Sequence, residues 1–351
     1  ISELKVNSDS PDSCDSPAAD LSMAGKIWRF CDWAVHIRVE LVVLCVFKLG
    51  VGVEFFYRGI PRMKAKLLAG LALATTALAT PAVTSQEADL VSFGPDTNPV
   101  LVDVRDGNPR RFIYELEATA YLLFIPITAR ASFDVNLHGD TYDMTSQVRT
   151  TGVADIFVDY DMQLAASGYV NDDGLRTYNY ISQNHDGKKN RRVEMTYHPD
   201  SFDMVAAPAF GDLGHPPATT EQALAALDPI TALINVSFQP RDPDEPCGGP
   251  IRTFDGRQLT ELTLEYIQEA DIRTRAWRGH GIECHVTLNR VAGYNEGETG
   301  SNLSGIDGPM RIFFAEAIPG MMIPVKIVVD SEDIGRITLQ TRRLELLDAE
   351  S

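Results

Sequence analysis

The chain has 351 residues, a formal net charge of −18 and 44% hydrophobic content. That apolar share supports a sizeable core and excludes an intrinsically disordered chain. The acidic balance argues against a nucleic-acid surface, which needs clustered Lys and Arg, and against adhesion to anionic head groups.

Residues 1–62 differ in character from the rest. They open on Ile1, pass through a Ser/Asp-rich stretch and a Trp- and Arg-bearing segment, and end in an apolar run broken by Glu40, Lys48 and Glu54. A charge at mid-bilayer costs about 2.5–3.5 kcal/mol on insertion scales, which disfavours a spanning helix there. Three readings stand: a non-native or mis-annotated leader with translation starting at Met63, a membrane anchor, or a small cytoplasmic domain. The first is favoured by the character of the segment beginning at Met63. Lys64 and Lys66 precede the apolar run 67–78, and Ala77-Leu78-Ala79 supplies a small-residue exit. That order is the composition of a secretory signal peptide, expected at 63–79. The apolar core is shorter than the ~20 residues a spanning helix needs. The expected destination is an exported one, outside the cytoplasm.

Residues 80–110 are rich in Pro, Asp and Asn and read as a flexible lead-in. From 111 to 348 the period is two. Phe112, Tyr114, Leu116, Ala118 and Ala120 alternate with polar residues. The same holds for Ala131, Phe133, Val135 and Leu137, and for Tyr142, Met144 and Val148. Val158, Tyr160, Met162 and Leu164 continue the pattern, as do Val193, Met195 and Tyr197. Turn signals between these runs predict antiparallel strands with one wet face. A helical segment is expected over 219–236, with Thr219-Thr220-Glu221 capping its start; Asp228-Pro229 either breaks it before Ile230–Val236 or serves as N-cap and first position of a second short helix. Strands resume around 262–266, 286–288, 310–314, 325–329 and 337–339, with an exposed glycine-rich loop at 293–308. The fold class is all-β: a long curved antiparallel sheet, half-barrel or open barrel-like, with a short helical segment packed against it.

Of five cysteines, Cys14, Cys31 and Cys45 precede the signal, leaving Cys247 and Cys284 after it. One pair in an exported segment predicts a single disulfide. His280, Glu283, Cys284 and His285 suggest a metal cluster, but strand alternation splits them between two faces, and a disulfide cysteine among surface polar residues accounts for them better. No metal and no cofactor is expected. Asp155, Asp159, Asp161, Asp172 and Asp173 could supply carboxylates for acid/base chemistry, but their positions fit a solvated acidic face. No nucleophile elbow, zincin helix or phosphate loop is present.

The most specific stretches are Leu227-Asp228-Pro229-Ile230, the turn Phe254-Asp255-Gly256-Arg257 before an alternating strand, the Cys284 strand, and Ile323-Pro324-Val325-Lys326. In these the chain resembles the bacterial envelope family designated domain of unknown function 3108, over roughly 114–347. The resemblance implies a protein exported to the periplasm of a Gram-negative bacterium and carries no reaction, hence no catalytic residues. The glycine-rich stretch after Gly293 departs from the family pattern.

The row Phe133, Tyr142, Met144, Tyr160, Met162 and Tyr197 falls on inward positions. These residues either fill a core or line an apolar cleft of the kind that binds ligands. The expected function is a non-catalytic binder of a lipid or other apolar or amphipathic envelope component. The alternatives are an envelope hydrolase using carboxylates, or a structural or assembly partner of an envelope complex.

Overall fold

A computed structural model describes residues 97–348 except 123, 158–159, 186–189, 301–305, 307 and 332–334. The expected leader and signal peptide, Val158, Asp159 and part of the glycine-rich loop lie outside the described residues. The first half runs α1 (Pro99–Arg105), β1 (Arg110–Leu122), β2 (Ile125–His138), β3 (Thr141–Thr151), α2 (Val153–Phe157), β4 (Asp161–Asn171), β5 (Gly174–Asn184), β6 (Arg192–Tyr197) and β7 (Phe202–Ala207). The second half runs α3 (Thr220–Leu224), α4 (Pro229–Asn235), β8 (Ile251–Phe254), β9 (Leu259–Arg273), β10 (Arg278–Ala292), β11 (Met310–Ile318), β12 (Met321–Ser331) and β13 (Gly335–Asp348).

All thirteen strands form one antiparallel sheet, ordered β7-β6-β5-β4-β3-β2-β1-β13-β12-β11-β10-β9-β8. The chain starts at the centre, meanders out to β7, crosses to β8, and meanders back until β13 pairs with β1. The sheet is open, because β7 and β8 are its edges and share no backbone ladder. Alternation sends one face of every strand inward. Phe112, Tyr114, Phe133, Tyr180, Phe238 and Phe314 are all at most 2% exposed within a single core. Fully burying a side chain of this kind contributes about 1.5–3 kcal/mol, so two limbs curled around one interior can hold the sheet bent.

Curling brings the two edges together through side chains. Phe202 on β7 and Phe254 on β8 meet edge to face at 5.6 Å between ring centres. Behind the seam, the crossover segment carries both helices expected from the sequence. Thr219 and Gln222 form a reciprocal capping box on α3. Asp228 caps α4, with Pro229 at its first position. The buried face of α4 packs against β4, β5 and β8. The Tyr142 hydroxyl meets the Thr231 hydroxyl at 2.8 Å, and the Leu175 N–H donates to Asn235 Oδ1 at 2.6 Å. Leu227 runs beside β8 and seals its outer edge: its N–H donates to the Arg252 carbonyl at 3.0 Å, and its own carbonyl accepts from Phe254 N–H at 2.8 Å.

Two expectations are corrected. The lead-in 80–110 is not uniformly loose, because α1 is a capped helix with Val100, Leu101 and Val104 buried. Asn98 Oδ1 accepts from the N–H groups of Val100 and Leu101, and Pro99 opens the helix. Asn-Pro here is a cap followed by the first helical residue, not a turn. The loop after β10 is also not exposed throughout. Tyr294 is 5% exposed, with its hydroxyl hydrogen-bonded to that of Thr260 at 2.5 Å. A Cβ on Gly293 would fall 1.7 Å from the Arg257 carbonyl oxygen, so this glycine is a close-approach residue.

Candidate functional site: an arginine groove on the outer face

The six aromatic and methionine residues expected on inward positions do point inward, and they are packed. Phe133 and Tyr142 are each 2% exposed, Met144 and Met162 1%, Tyr160 6% and Tyr197 8%. Phe133 lies 5.7 Å from the Tyr114 ring, and the Tyr160 hydroxyl donates to Met162 Sδ at 3.2 Å. Burial pushes the Tyr142 and Tyr197 hydroxyl pKa values upward, with Asp228 adding to the effect. An apolar cavity of about 40 Å³ sits elsewhere, between α4 and the second limb, bordered by Leu233, Ile251, Leu262, Val286 and Met310. None of the six borders it, and its volume admits no acyl chain. These six residues are packed into the core cluster.

The remaining singled-out residues hold the fold together. Cys247 and Cys284 form a disulfide with Cα atoms 6.1 Å apart, tying the crossover segment to β10. Asp228 is fully buried. Its Oδ2 accepts from the Thr177 hydroxyl at 2.6 Å, and its Oδ1 accepts from the N–H groups of Ile230 and Thr231 at 3.1 and 2.9 Å. Burial raises its pKa against the downward pull of those hydrogen bonds. Asp255 Oδ1 accepts from Arg257 N–H and Gln258 N–H at 2.8 and 2.6 Å, which closes the turn after Phe254. Gly256 takes φ +98° there. Arg257 is 4% exposed and reaches the Asp212 carbonyl at 3.1 Å and Asn295 Oδ1 at 3.1 Å. Pro324 sits on β12 at an irregularity in its pairing with β11, where a proline costs no ladder bond, and its carbonyl accepts from the Tyr114 hydroxyl.

Of the acidic set read as a solvated face, the described members make separate contacts. Asp155 accepts from the Thr150 hydroxyl, Asp161 from the Gln147 amide, and Asp172 pairs with Arg105. Among the described residues no group of three His, Cys, Asp or Glu comes together as a metal site; Cys284 is in the disulfide and His280 pairs with Asp271 at 2.9 Å.

What does converge is a set of arginines from distant parts of the chain. On the outer face, register places Glu117 of β1 opposite both Arg130 of β2 and Gln340 of β13. One step along, Thr119 stands opposite Thr128 and Thr338. Another step along, Tyr121 stands opposite Pro126. The bulge in β13 inserts Arg342 beside this row. The β9–β10 turn leans over β13, where Ala276 N–H donates to the Thr341 carbonyl at 3.3 Å, and brings Arg275 to the rim. The result is a groove of about 760 Å³ lined by Arg130, Arg275, Arg336 and Arg342, floored by three threonines and Gln340, and ending at Tyr121 and Pro126.

Its electrostatics are unusual for a chain of charge −18. Glu117, only 6% exposed, is shared by two guanidinium groups: Arg130 Nε donates to it at 3.2 Å, and Arg342 bonds the same oxygen. Arg336 pairs with Asp330 at 2.8 Å. Arg275 has no ion-pair partner among the described residues. A shallower outer groove of about 1080 Å³ makes the contrast. There Arg111 pairs with Asp134, Arg192 with Glu194, and Arg343 with Glu345, so each cation is already matched. The first groove therefore offers donors in excess of local carboxylates, with Arg130 and Arg342 pre-oriented by Glu117. Such a lining can bind an anionic group by charge-assisted, planar guanidinium contacts. The groove is also amphipathic along its length. Tyr121 is 57% exposed at its far end, beside Phe124 at 84% on the β1–β2 turn and Ile125 at 39% at the start of β2.

The sequence reading missed all four arginines. The signal available was weak: Arg336 and Arg342 share a strand face at even spacing, but 130, 275 and 342 meet only through register and a bulge.

Fold and site together define an open, barrel-like all-β domain stapled by one disulfide, with an arginine-lined groove on its outer face. A family model described as a protein of unknown function (DUF3108) matches residues 114–341, and the chain belongs to that family. Among solved structures, the chain is similar to a beta-barrel-like protein of domain of unknown function DUF1849 from Brucella abortus. The identity there is 11%, over 69% of this chain and 98% of that one, with a TM-score of 0.37. It is also similar to a DUF1329 family protein from Desulfovibrio piger at 8% identity, over 72% and 91% of the two chains, with a TM-score of 0.21. No curated protein matches it.

Proposed function

We propose that this is a non-catalytic periplasmic binding protein that takes an anionic, amphipathic component of the cell envelope into the arginine groove. The observation that carries the reading is the excess of guanidinium over carboxylate at Arg130, Arg275, Arg336 and Arg342 in a strongly acidic chain. A net cation cluster on an acidic surface is a local electrostatic trap, effective within about 8–10 Å at ordinary ionic strength. From Glu117 to Tyr121 the groove runs four strand residues, on the order of 13 Å, which separates a charged end from an apolar one. A head group would sit at Arg275, Arg342 and Arg130, and its apolar part would lie toward Tyr121, Pro126 and Phe124. The disulfide supports residence in an oxidising compartment, in keeping with the signal peptide read at 63–79.

Calorimetric titration with lysophosphatidylglycerol below its micelle concentration, and with lysophosphatidylcholine as the zwitterionic control, tests this. The anionic lipid should bind saturably, weaken with added salt, and lose at least tenfold in affinity in the Arg275→Gln/Arg342→Gln variant. Equal binding of both lipids, or binding indifferent to the arginines, would remove the proposal.

A further inference from the structure

Period-two alternation breaks down at the tip of the β1–β2 hairpin. From Tyr121 to Pro126 every residue is apolar or aromatic, where a half-buried strand would alternate. The tip also stands clear of its neighbours. The ladder to β13 ends at Thr119 and the ladder to β3 ends at Thr128. Beyond them Ala120 with Ile127, Tyr121 with Pro126 and Leu122 with Ile125 are paired only to each other. At about 3.3 Å per residue, these three pairs make a projection on the order of 10 Å. Burial stops at Ala120 and Ile127, and past them Tyr121, Phe124, Ile125 and Pro126 are all exposed. Val153, opening α2 just after the β3 residue that pairs with Thr128, adds another exposed apolar side chain at this end of the sheet. A contiguous exposed run of this kind marks an interaction site or an aggregation liability.

Directly behind the tip stands the band of guanidinium groups. Arg336 lies two residues nearer the tip than Thr338, the partner of Thr119, and Arg130 lies two residues behind Thr128. Arg275 and Arg342 complete the band. The carboxylates that touch it are Glu117, shared by Arg130 and Arg342, and Asp330, shared by Arg311 and Arg336, so the band keeps a net positive charge. Glu332 and Asp333, between β12 and β13, lie outside the described residues. An apolar crown backed by cations matches the layering of a lipid surface, where amphipathic elements enter by about 5–10 Å beneath anionic head groups. Tyrosine suits the boundary between the layers, and arginine stems can cross apolar surface while the guanidinium stays at the head groups. A protein occupant fits less well. The tip is a convex projection a few residues wide, whereas a standard interface buries roughly 800 Å² on each partner.

We propose that the tip of the β1–β2 hairpin docks the protein on an anionic lipid bilayer. Tyr121, Phe124 and Ile125 enter the acyl boundary while Arg130, Arg275, Arg336 and Arg342 engage the head groups. The acidic remainder of the chain is repelled by the same surface, which sets a single orientation. In that orientation the groove opens onto the head-group layer. The inference shares the groove's arginines with the function proposed above but does not require a lipid to leave the bilayer.

Site-specific photocrosslinking on the full chain tests this, with benzoylphenylalanine replacing Phe124 or, as a control on a distant exposed aromatic, Tyr266. The vesicles are phosphatidylcholine alone or phosphatidylcholine mixed equally with phosphatidylglycerol. Comparing two positions within one chain removes any contribution from the apolar run at 67–78. With mixed vesicles, mass spectrometry should find acyl-chain adducts at position 124 at least tenfold above those at 266. Labelling at 124 should fall about tenfold in phosphatidylcholine alone, at high salt, and in the Arg336→Gln/Arg342→Gln background. Equal labelling at the two positions, labelling indifferent to phosphatidylglycerol, or crosslinks from 124 to a second copy of the chain would overturn the proposal. Acyl adducts at 124 without saturable binding of monomeric lysophosphatidylglycerol would uphold bilayer docking and remove the groove reading. Monomer binding without adducts at 124 would do the reverse.

Discussion

Phe202 and Phe254 belong to the two opposite edges of a thirteen-stranded sheet, yet their rings meet at 5.6 Å. The contact stands where a closed barrel would have a backbone ladder, so the seam rests on side-chain shape. Gly256 lies directly behind it. A Cβ there would approach Val193 Cγ1 to 2.9 Å and Met204 Sδ to 3.0 Å, in a backbone conformation that L side chains rarely adopt. Gly256→Ala should destabilise by about 1–2 kcal/mol from strain and crowding, and Phe254→Ala by about 3–4 kcal/mol from the cavity. Urea denaturation followed by tyrosine fluorescence measures both; no loss in either variant would show that the seam does not hold the edges.

The disulfide spans 37 residues of sequence separation. In the chain-entropy account a loop of that size contributes about 4 kcal/mol by restricting the unfolded chain. Cys247→Ser/Cys284→Ser should therefore lower the urea midpoint substantially, and reductant should do the same to the unaltered protein but not to the variant.

Asp228 gives a prediction with a definite sign. Burial raises its folded pKa above the ordinary value of 3.8. The proton-bound form is thus favoured more by the folded chain than by the unfolded one, and stability from this group is complete below the unfolded pKa and lost as pH rises through the folded value. Asp228→Asn keeps an acceptor for Ile230 and Thr231 without the ionisation. The stability of the native protein relative to this variant should therefore fall between acid and neutral pH, as read from urea midpoints at pH 4 and pH 7. Asp228→Ala should cost about 2 kcal/mol at either pH through loss of the cap and of the Thr177 partner.

Glu117 holds two arginines in place while cancelling one charge. Glu117→Gln should raise the groove's net charge by one, tighten binding of lysophosphatidylglycerol a fewfold, and steepen its salt dependence. Weaker binding with an unchanged melting temperature would mean that arginine orientation outweighs charge.

Much of this architecture was legible in the chain. The strict alternation at Phe112–Ala120 and Ala131–Leu137 could only be a half-buried strand, and of the two readings open for Asp228-Pro229, a break or a cap, the cap is the one the chain adopts. β5 was obscured because Tyr178 is exposed and a bulge opposite Gly168 shifts its alternation. The Asn98-Pro99 helix was hidden by residue types shared between caps and turns. Pattern also could not tell Phe133 or Met144 in a filled core from the same residues around a cavity, since both arrangements put them on inward positions. The arginine groove was out of reach because its members are neighbours only across strands, and period-two reasoning works along one strand at a time.

The pairing of β1 with β13 joins residue 110 to residue 348. The ladder at the middle of the sheet is thus its least local one, and it cannot form until the last strand has been delivered. A chain lacking its final fourteen-residue strand would retain most of its hairpins but present two long inner strands, β1 and β12, as bare edges. Assembly of this domain should be late, slow and all-or-none at its centre, with a growing chain dependent on protection from premature pairing until β13 arrives.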